Sequence, residues 1–346
     1  WVTMASPYSD IRIIINFAIC WNSLVLISTL NGKNLISYTQ SADNLYLYFF
    51  KQSVSETTRE TSLKYSSFRL YYNKLFKNSD HLPDKWLTWF IGFVEGDGAI
   101  QTYDKGKRVR FVLTQKESDI LHQIQFKLNI GVVKHFPQGK RGKNNDFYRL
   151  IIDNPIHILL LAFLFNGNLV QNHRIEQLAL WVNALNNRFG TETIKLIDTP
   201  VSITLQDSWL SGFTDAEGCF NVSSTANSRY TLGYVIKMRY ILDQKDQVVL
   251  NKIQVLFGHG KVSLRSGTKD VYRYTVTGFK ALNHVIAYFK TFPLQTKKTF
   301  SFEKWLTIHN QVSDKLPLSS EGLFKIRTLQ KQININNSMT NKTGKS

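Results

Sequence analysis

One pattern occurs twice in this chain, and the repetition limits the folds that it can adopt. Residues 86–100 read WLTWFIGFVEGDGAI, and residues 209–222 read WLSGFTDAEGCFNV. Further matches follow in the same order: LTQKE with LDQKD, Gly131 with Gly260, and Tyr148-Arg149 with Tyr272-Arg273. Matches that recur in one order indicate an internal duplication. We therefore expect two similar halves, residues 81–190 and 207–346 with a C-terminal tail, joined by a linker at 191–206.

Each copy is expected to form a helix, two strands, a helix, two strands and a helix, which is an α+β fold. In the first copy Val109, Phe111 and Leu113 alternate with Arg108 and Arg110, which predicts a strand after a turn at 104–106. Apolar runs at 119–128 and 156–165 predict helices that cover the inward face of the sheet. Residues 186–207 lack clear periodicity and are the expected connection between the copies.

Small residues recur at helical spacing inside the repeated pattern. Gly92 and Gly96 are one turn apart in the first copy, and Gly212 and Ala216 occupy the matching positions in the second. Small side chains at this spacing allow two helix backbones to approach closely. The sequence therefore predicts that these four residues form an interface between the two repeated helices.

An acidic residue and a glycine end each repeated helix, as Asp97-Gly98 and Glu217-Gly218. A glycine there suits a left-handed helix C-cap. A carboxylate at a helix C-terminus is disfavoured by the helix dipole, and two together repel each other. A divalent cation relieves both penalties and also accepts helix-terminal carbonyls as ligands. The alternative is a pair of solvated turn residues, but two acids in register favour a metal site.

The charge balance indicates a polyanionic partner. Forty-three Lys and Arg against 25 Asp and Glu give a formal net charge of +18. Nucleic acid is the leading candidate, with a solubilising charge excess as the alternative. Two cysteines, Cys20 and Cys219, exclude a disulfide framework and a thiolate zinc site. The absence of GxxxxGK[ST], HExxH and GxSxG argues against P-loop NTPases, zinc proteases and α/β-hydrolases.

Residues 1–80 have no counterpart in the second half and are expected to be a leader, an exon fusion or a linker that activity does not need. Residues 13–30 are apolar enough to suggest a membrane helix, although Asn16 and Asn22 weaken that interpretation. No membrane association is expected for the duplicated core. Residues 42–80 are rich in Ser, Thr, Asn and Tyr. The start at Trp1 suggests a fragment, a processed product or a reading frame fused to an upstream exon.

The two segments IGFVEGDG and LSGFTDAEG resemble the motif of the LAGLIDADG homing endonuclease family, and the resemblance covers residues 86–309. It implies two pseudo-symmetric αββαββα halves that pack through the motif helices. Each half would present a saddle-shaped antiparallel sheet to the major groove of double-stranded DNA. The family also implies a monomer, with no obligate protein partner, that is encoded in a mobile group I intron of an organelle, here a mitochondrion.

The resemblance also implies roles for residues of the active site. Asp97 and Glu217 match the metal-binding acids, with the carbonyls of Gly96 and Ala216 nearby, whereas Glu95 and Asp215 are not expected to bind metal. The implied cofactor is Mg²⁺ or Mn²⁺, with Ca²⁺ supporting binding without cleavage. Gln115 and Gln244 match polar positions that order water. Lys298 matches a basic residue that stabilises phosphate charge or activates water. His173 is the first-half equivalent of Lys298. Because Arg174 follows His173, the basic group of the first half stays open, and Lys298 alone has a surface-charge alternative.

Outward strand positions would read the bases, with Arg and Lys suited to guanine and Gln and Asn to adenine. The alternative for each is a contact to phosphate alone. The first half offers Gln101, Tyr103, Arg108, Arg110, Lys134 and Arg149. The second half offers Asn221, Ser223, Lys237, Arg239, Lys261, Ser263, Arg265, Arg273 and Thr275.

Three functions remain open at this point. The first is a metal-dependent endonuclease that hydrolyses both strands of a long, non-palindromic DNA site. The second is an RNA maturase that assists splicing of its own intron RNA, alone or in addition. A DNA-binding protein without cleavage is the third, and the two retained acids argue against it.

Overall fold

The computed structural model describes residues 13–16, 25–28, 63–77, 82–137, 146–191, 193–229, 233–313 and 319–333. The chain divides into two compact units, residues 1–62 and 63–346. In the first unit, β1 (Ile13–Asn16) and β2 (Val25–Ser28) pair antiparallel. The described parts of the apolar stretch 13–30 are thus strands, and no helix among the described residues has the length and apolarity of a membrane span. Most of the expected leader, including Trp1, and the tail after 333 lie outside the described residues.

The first half of the second unit contains the expected elements in the expected order. After helix α1 (Ser66–Leu75) they are α2 (Asp84–Asp97), β3 (Gly98–Tyr103), β4 (Arg108–Gln115), α3 (Asp119–Leu128), β5 (Val132–Phe136), β6 (Phe147–Ile152), α4 (Pro155–Phe165) and α5 (Asn172–Phe189). The four strands form one antiparallel sheet in the order β3-β4-β6-β5.

The second half repeats this arrangement. Its elements are α6 (Trp209–Glu217), β7 (Gly218–Ala226), β8 (Tyr234–Gln244), α7 (Gln247–Phe257), β9 (Lys261–Leu264), β10 (Tyr272–Thr277), α8 (Phe279–Thr291), α9 (Lys298–Ser313) and α10 (Ser320–Gln332). The sheet order β7-β8-β10-β9 matches that of the first half. Two pseudo-symmetric halves with antiparallel sheets confirm the expected α+β fold class.

Hydrophobic periodicity accounts for these elements. On β4, Phe111 and Leu113 are buried while Arg108 is exposed, so the sheet has one apolar and one polar face. Helix α4 is apolar on all sides and is buried beneath the sheet, and Asn154 caps its N-terminus. Helix α5 continues to Phe189, so the connection between the halves begins after residue 189 and not at 186.

The two repeated helices, α2 and α6, pack against each other where the two halves meet. A Cβ atom on Gly92 would lie 2.0 Å from the carbonyl oxygen of Trp209, and one on Gly212 would lie 1.8 Å from that of Trp89. A Cβ on Gly96 would lie 2.3 Å from the Cβ of Ala216. Because these distances are below van der Waals contact, the helices can meet here only where side chains are absent or small.

The glycines that follow the two helices differ from expectation. Gly98 and Gly218 have φ angles of −75° and −83°, which are extended and not left-handed. Their requirement for glycine is steric: a Cβ would lie 2.6 Å from the carbonyl oxygen of Val94 in one copy and of Thr214 in the other. The chain therefore enters the strand directly, and the missing side chain leaves room for the last helical turn.

The compact core begins earlier than the sequence predicts. Tyr65, Phe68 and Tyr72 of the segment expected to be a linker are buried, and α1 packs against α4. The Tyr72 hydroxyl donates a 3.0 Å hydrogen bond to the carbonyl of Lys127 in α3. The spacing of these aromatic residues is that of one face of an amphipathic helix. The polar composition of residues 42–80 as a whole does not indicate this helix. The boundary in the structure is Leu63.

A protein that begins at residue 81 is therefore expected to be destabilised, whereas one that begins at Leu63 should fold as the longer chain does. The single substitution Phe68→Ala should lower the free energy of unfolding by about 3–5 kcal/mol, because the ring is 1% exposed. Leu70→Ala on the same helix is the matched control, since Leu70 is 56% exposed. Chemical denaturation measures both, and equal effects would show that α1 does not pack on the core.

Candidate active site and nucleic-acid surface

Two carboxylates meet where the paired helices end. Asp97 is the last residue of α2 and Glu217 the last of α6. The Cγ of Glu217 lies 3.2 Å from the position that a Cβ on Gly96 would occupy. Gln115 donates a 2.6 Å hydrogen bond to Asp97, and Gln244 donates a 3.2 Å hydrogen bond to Glu217. The structure thus brings together the two acids and two glutamines that the sequence singles out.

Burial makes negative charge costly at both acids. It raises the pKa of Asp97, and it raises the pKa of Glu217 to about 7, with the neighbouring Asp97 charge as the second cause. Hydrogen bonding by Gln115 and the positive charges of Lys298 and Arg174 act in the opposite direction on the pKa of Asp97. The two carboxylates lie close together although they repel each other and are partly removed from water. A bound cation offsets both costs, so the site favours binding of a cation.

The raised pKa predicts a pH dependence of stability. The pKa of Glu217 is about 7 when folded and near 4.5 when unfolded, so its stabilising contribution is complete below pH 4.5 and is lost as pH rises to about 7. In EDTA, the free energy of unfolding of the wild type should therefore fall between pH 4.5 and 7, relative to that of Glu217→Gln. One pKa unit corresponds to about 1.4 kcal/mol, so the expected fall is about 3 kcal/mol. Equilibrium denaturation at several pH values measures it, and a constant difference between the two proteins would contradict it.

Two cations complete the site, one from each half: Arg174 is buried and Lys298 is partly buried. Lys298 donates hydrogen bonds of 3.1 and 2.8 Å to the carbonyls of Thr214 and Ala216 at the end of α6. Arg174 donates hydrogen bonds of 3.0 and 3.2 Å to the carbonyls of Glu95 and Gly96 at the end of α2. Basic groups near helix C-termini complement the helix dipole. Each helix end is therefore stabilised by a cation that also lies beside the acids.

Arg174, and not His173, occupies the first-half position that matches Lys298. Arg174 is 8% exposed, and burial lowers its pKa, while the neighbouring charges of Glu95, Glu217 and Asp97 act in the opposite direction. His173 is exposed and turns away from the two acids, since its electrostatic neighbours are Arg174, Asp246 and Glu176. Because α5 begins at Asn172, its third residue, Arg174, lies against α2, whereas Lys298 is the first residue of α9. A catalytic role for His173 stays a prediction.

The carbonyls of Gly96 and Ala216, expected to face a metal, accept hydrogen bonds from these cations. Each carbonyl oxygen has two lone pairs, so one acceptor position remains on each. A role for these two carbonyls as metal ligands stays a prediction.

The other motif acids, Glu95 and Asp215, connect the two halves. Trp209 donates a 2.6 Å hydrogen bond to Glu95, and Trp89 donates a 2.8 Å hydrogen bond to Asp215. Glu95 also accepts backbone N–H groups of 170 and 171, and Asp215 accepts those of 295 and 296. Burial is the largest cause of the raised pKa of both acids. Both carboxylates thus accept hydrogen bonds from the other half as well as from their own, and the repeated tryptophans are the sequence signal for this pairing.

The predicted base-reading residues lie on the outward faces of the two sheets, and none of them is buried. Strand register places them side by side on one face. The pairs are Gln101 with Arg110, Tyr103 with Arg108, Lys134 with Arg149, Asn221 with Arg239, Ser223 with Lys237, Ser263 with Arg273 and Lys261 with Thr275.

Two acids on this surface were not foreseen. Asp243 contacts both Arg273 and Arg265, and Asp153 contacts Arg110. These ion pairs fix the directions of three of the predicted arginines and partly neutralise them. The sequence offers no signal for such pairing, because the partners are far apart in the chain.

Comparison with known proteins agrees with this geometry. The LAGLIDADG endonuclease family model matches residues 210–309. Over 257 residues the chain is 37% identical to probable intron-encoded endonuclease 4 of Neurospora crassa, with 73% of this chain and 45% of the relative covered. Over 330 residues it is 23% identical to intron-encoded RNA maturase bI4 of Saccharomyces cerevisiae, with 86% and 48% covered. The chain thus spans about half the length of these relatives.

The fold is similar to that of the LAGLIDADG meganuclease I-AabMI, whose crystal structure contains uncleaved DNA. The TM-score is 0.59 at 22% identity, over 71% of this chain and 99% of the other. The family model covers the second motif copy, which ends in Glu217, and the similarity to the Neurospora crassa relative extends over 73% of this chain. The chain belongs to the LAGLIDADG endonuclease family.

Proposed function

We propose that this protein is a site-specific homing endonuclease that makes a double-strand break in a long, non-palindromic DNA target. The observation that carries the proposal is the pairing of Asp97 and Glu217 at the ends of two packed helices, each with a cation beside it. Two acids at one helix interface suit hydrolysis of two phosphodiester bonds, one in each strand. The outward basic residues of the two sheets provide the surface for DNA.

The donor set fits a divalent cation such as Mg²⁺ or Mn²⁺. Among the described residues no group of three or more His, Cys, Asp or Glu side chains is placed to hold a metal ion. The protein ligands would be Asp97 and Glu217 with the carbonyls of Gly96 and Ala216. Mg²⁺ characteristically binds one or two carboxylates and keeps water and phosphate oxygens as its other ligands. When bound, the ion would supply Lewis-acid activation of water and of the scissile phosphate. Ca²⁺ would support binding without cleavage.

The side chains around the acids would position the reaction. Gln115 and Gln244 hold the carboxylates in place and can order a water molecule beside them. Lys298 and Arg174 place fixed positive charge next to the acids, where charge develops on a scissile phosphate.

We further propose that one chain acts as a monomer without an obligate protein partner, and that cleavage promotes mobility of the host intron. Both motif helices are present in one chain, and the outward residues of the two halves differ, which suits a non-palindromic site. The intron-encoded relatives support an organellar, mitochondrial location.

Incubation of the protein with Mg²⁺ and DNA that carries the rejoined exon junction tests the proposal. We expect one double-strand break near the junction and none in DNA that contains the intron. Binding without a break under these conditions would favour a DNA-binding protein that does not cleave.

DNA binding is expected to weaken steeply with salt. The formal net charge is +18, and each phosphate contact releases counterions and contributes a slope of about −0.9 to the log–log plot of affinity against salt concentration. Fluorescence anisotropy at several salt concentrations measures the slope. A slope near zero would contradict binding to DNA.

An RNA maturase that assists splicing of its own intron is a second candidate. The similarity to a maturase over 86% of this chain favours it, and the exposed basic surface can bind RNA as well as DNA. A splicing assay with the intron RNA, with and without the protein, separates this activity from DNA cleavage.

A further inference from the structure

One arginine on the first sheet is held in place by aromatic rings. Arg149 lies on the inner strand β6 and faces Lys134 on β5. The rings of Phe136 and Phe147 stack with centroids 5.3 Å apart and an interplanar angle of 7°. The guanidinium carbon of Arg149 lies 5.0 Å from the centroid of the first ring and 4.9 Å from that of the second. Two cation–π contacts therefore fix the side chain.

Arg149 differs from the other arginines of this surface in its partners. Arg110 pairs with Asp153, and Arg273 pairs with Asp243. Arg149 forms no ion pair with any residue that the structure describes, and its Nε is buried without a hydrogen-bond partner within that part of the chain. With Lys134 directly opposite, it presents uncompensated positive charge on a rigid, planar group.

We propose that Arg149 reads one guanine in the first half of the DNA site, with Phe136 and Phe147 as positioning residues. A bidentate contact of a guanidinium fork with guanine O6 and N7 is the commonest specific arginine–base contact. Arg149 has a strand on each side, so it lies in the middle of the surface. Contacts to the DNA backbone concentrate at the rim of such a surface. A side chain that is already ordered loses little entropy on binding and tolerates few alternative partners. This inference rests on the proposed function.

Selection from a library of randomised DNA duplexes tests the inference. The wild type should require guanine at one base pair, and Arg149→Lys, which keeps the charge, should reduce that preference about tenfold. Phe147→Leu and Phe136→Leu should weaken the same preference, and thermal unfolding checks that both still fold. Arg188→Lys is the matched control, because Arg188 is exposed on α5 and belongs to neither sheet, and it should leave this position unchanged.

Two results would overturn the inference while the proposed function stands. One is an unchanged base preference in Arg149→Lys. The other is an even loss of affinity for all sequences with a salt slope reduced by about one, which identifies a phosphate contact. An effect of Arg149→Lys without any effect of either phenylalanine variant would reject the positioning role. If the wild type selects no sequence at all, the proposed function fails together with this inference.

Discussion

Asp97→Asn and Glu217→Gln are each expected to reduce double-strand cleavage by about a thousandfold or more, with DNA binding retained. The acids lie together at the ends of α2 and α6, and Gln115 and Gln244 hold them in place. Both substitutions keep the size of the side chain and remove the charge that a cation requires. Removal of buried negative charge opposite phosphate should also strengthen metal-free binding.

Linearisation of a plasmid in Mg²⁺ measures cleavage, and a gel shift in EDTA measures binding. Glu176→Gln is the matched control, since Glu176 is an exposed acid on α5. Wild-type cleavage by either active-site variant would remove the assignment of these acids. Equal loss of cleavage and binding would show that the acids support the fold and not the reaction.

Gly212→Leu is expected to lower the free energy of unfolding by about 1–3 kcal/mol or more and to reduce cleavage further than binding. The first added carbon would already lie 1.8 Å from the carbonyl oxygen of Trp89 and 2.7 Å from the backbone nitrogen of Phe93. Because those atoms belong to backbone, relief requires that the two helices separate. Asp97 and Glu217 would then separate too, and catalysis depends on placement within about 0.5 Å.

Asn183→Leu adds the same side chain at an exposed position of α5 and should change neither property. Gly92→Leu, at the matching position of the first half, should behave as Gly212→Leu does. A folded Gly212→Leu protein that cleaves normally would show that the helix interface does not set the distance between the acids. A wild type that is an obligate dimer in solution would contradict the monomer.

The sequence alone predicted much of this protein because the duplication supplied an internal comparison. Helix α3 has the predicted bounds, and the acids, the glutamines and the small residues occupy matching places in both halves. Local periodicity determines such elements, since one face of each must be buried. A residue that recurs at the matching position of both copies has the same geometric role in each. Repetition therefore distinguishes such residues from acids and glycines that merely occur in a turn.

Tertiary structure decided what depends on residues far apart in the chain. The start of α5 places Arg174 and not His173 against α2, and α1 becomes part of the core only because α4 offers an apolar surface. The bridges from Trp89 to Asp215 and from Trp209 to Glu95 cross between halves, so neither copy alone reveals them. Hydrogen bonds and packing act over a few ångströms in space regardless of sequence separation, and only the folded chain brings these partners that close.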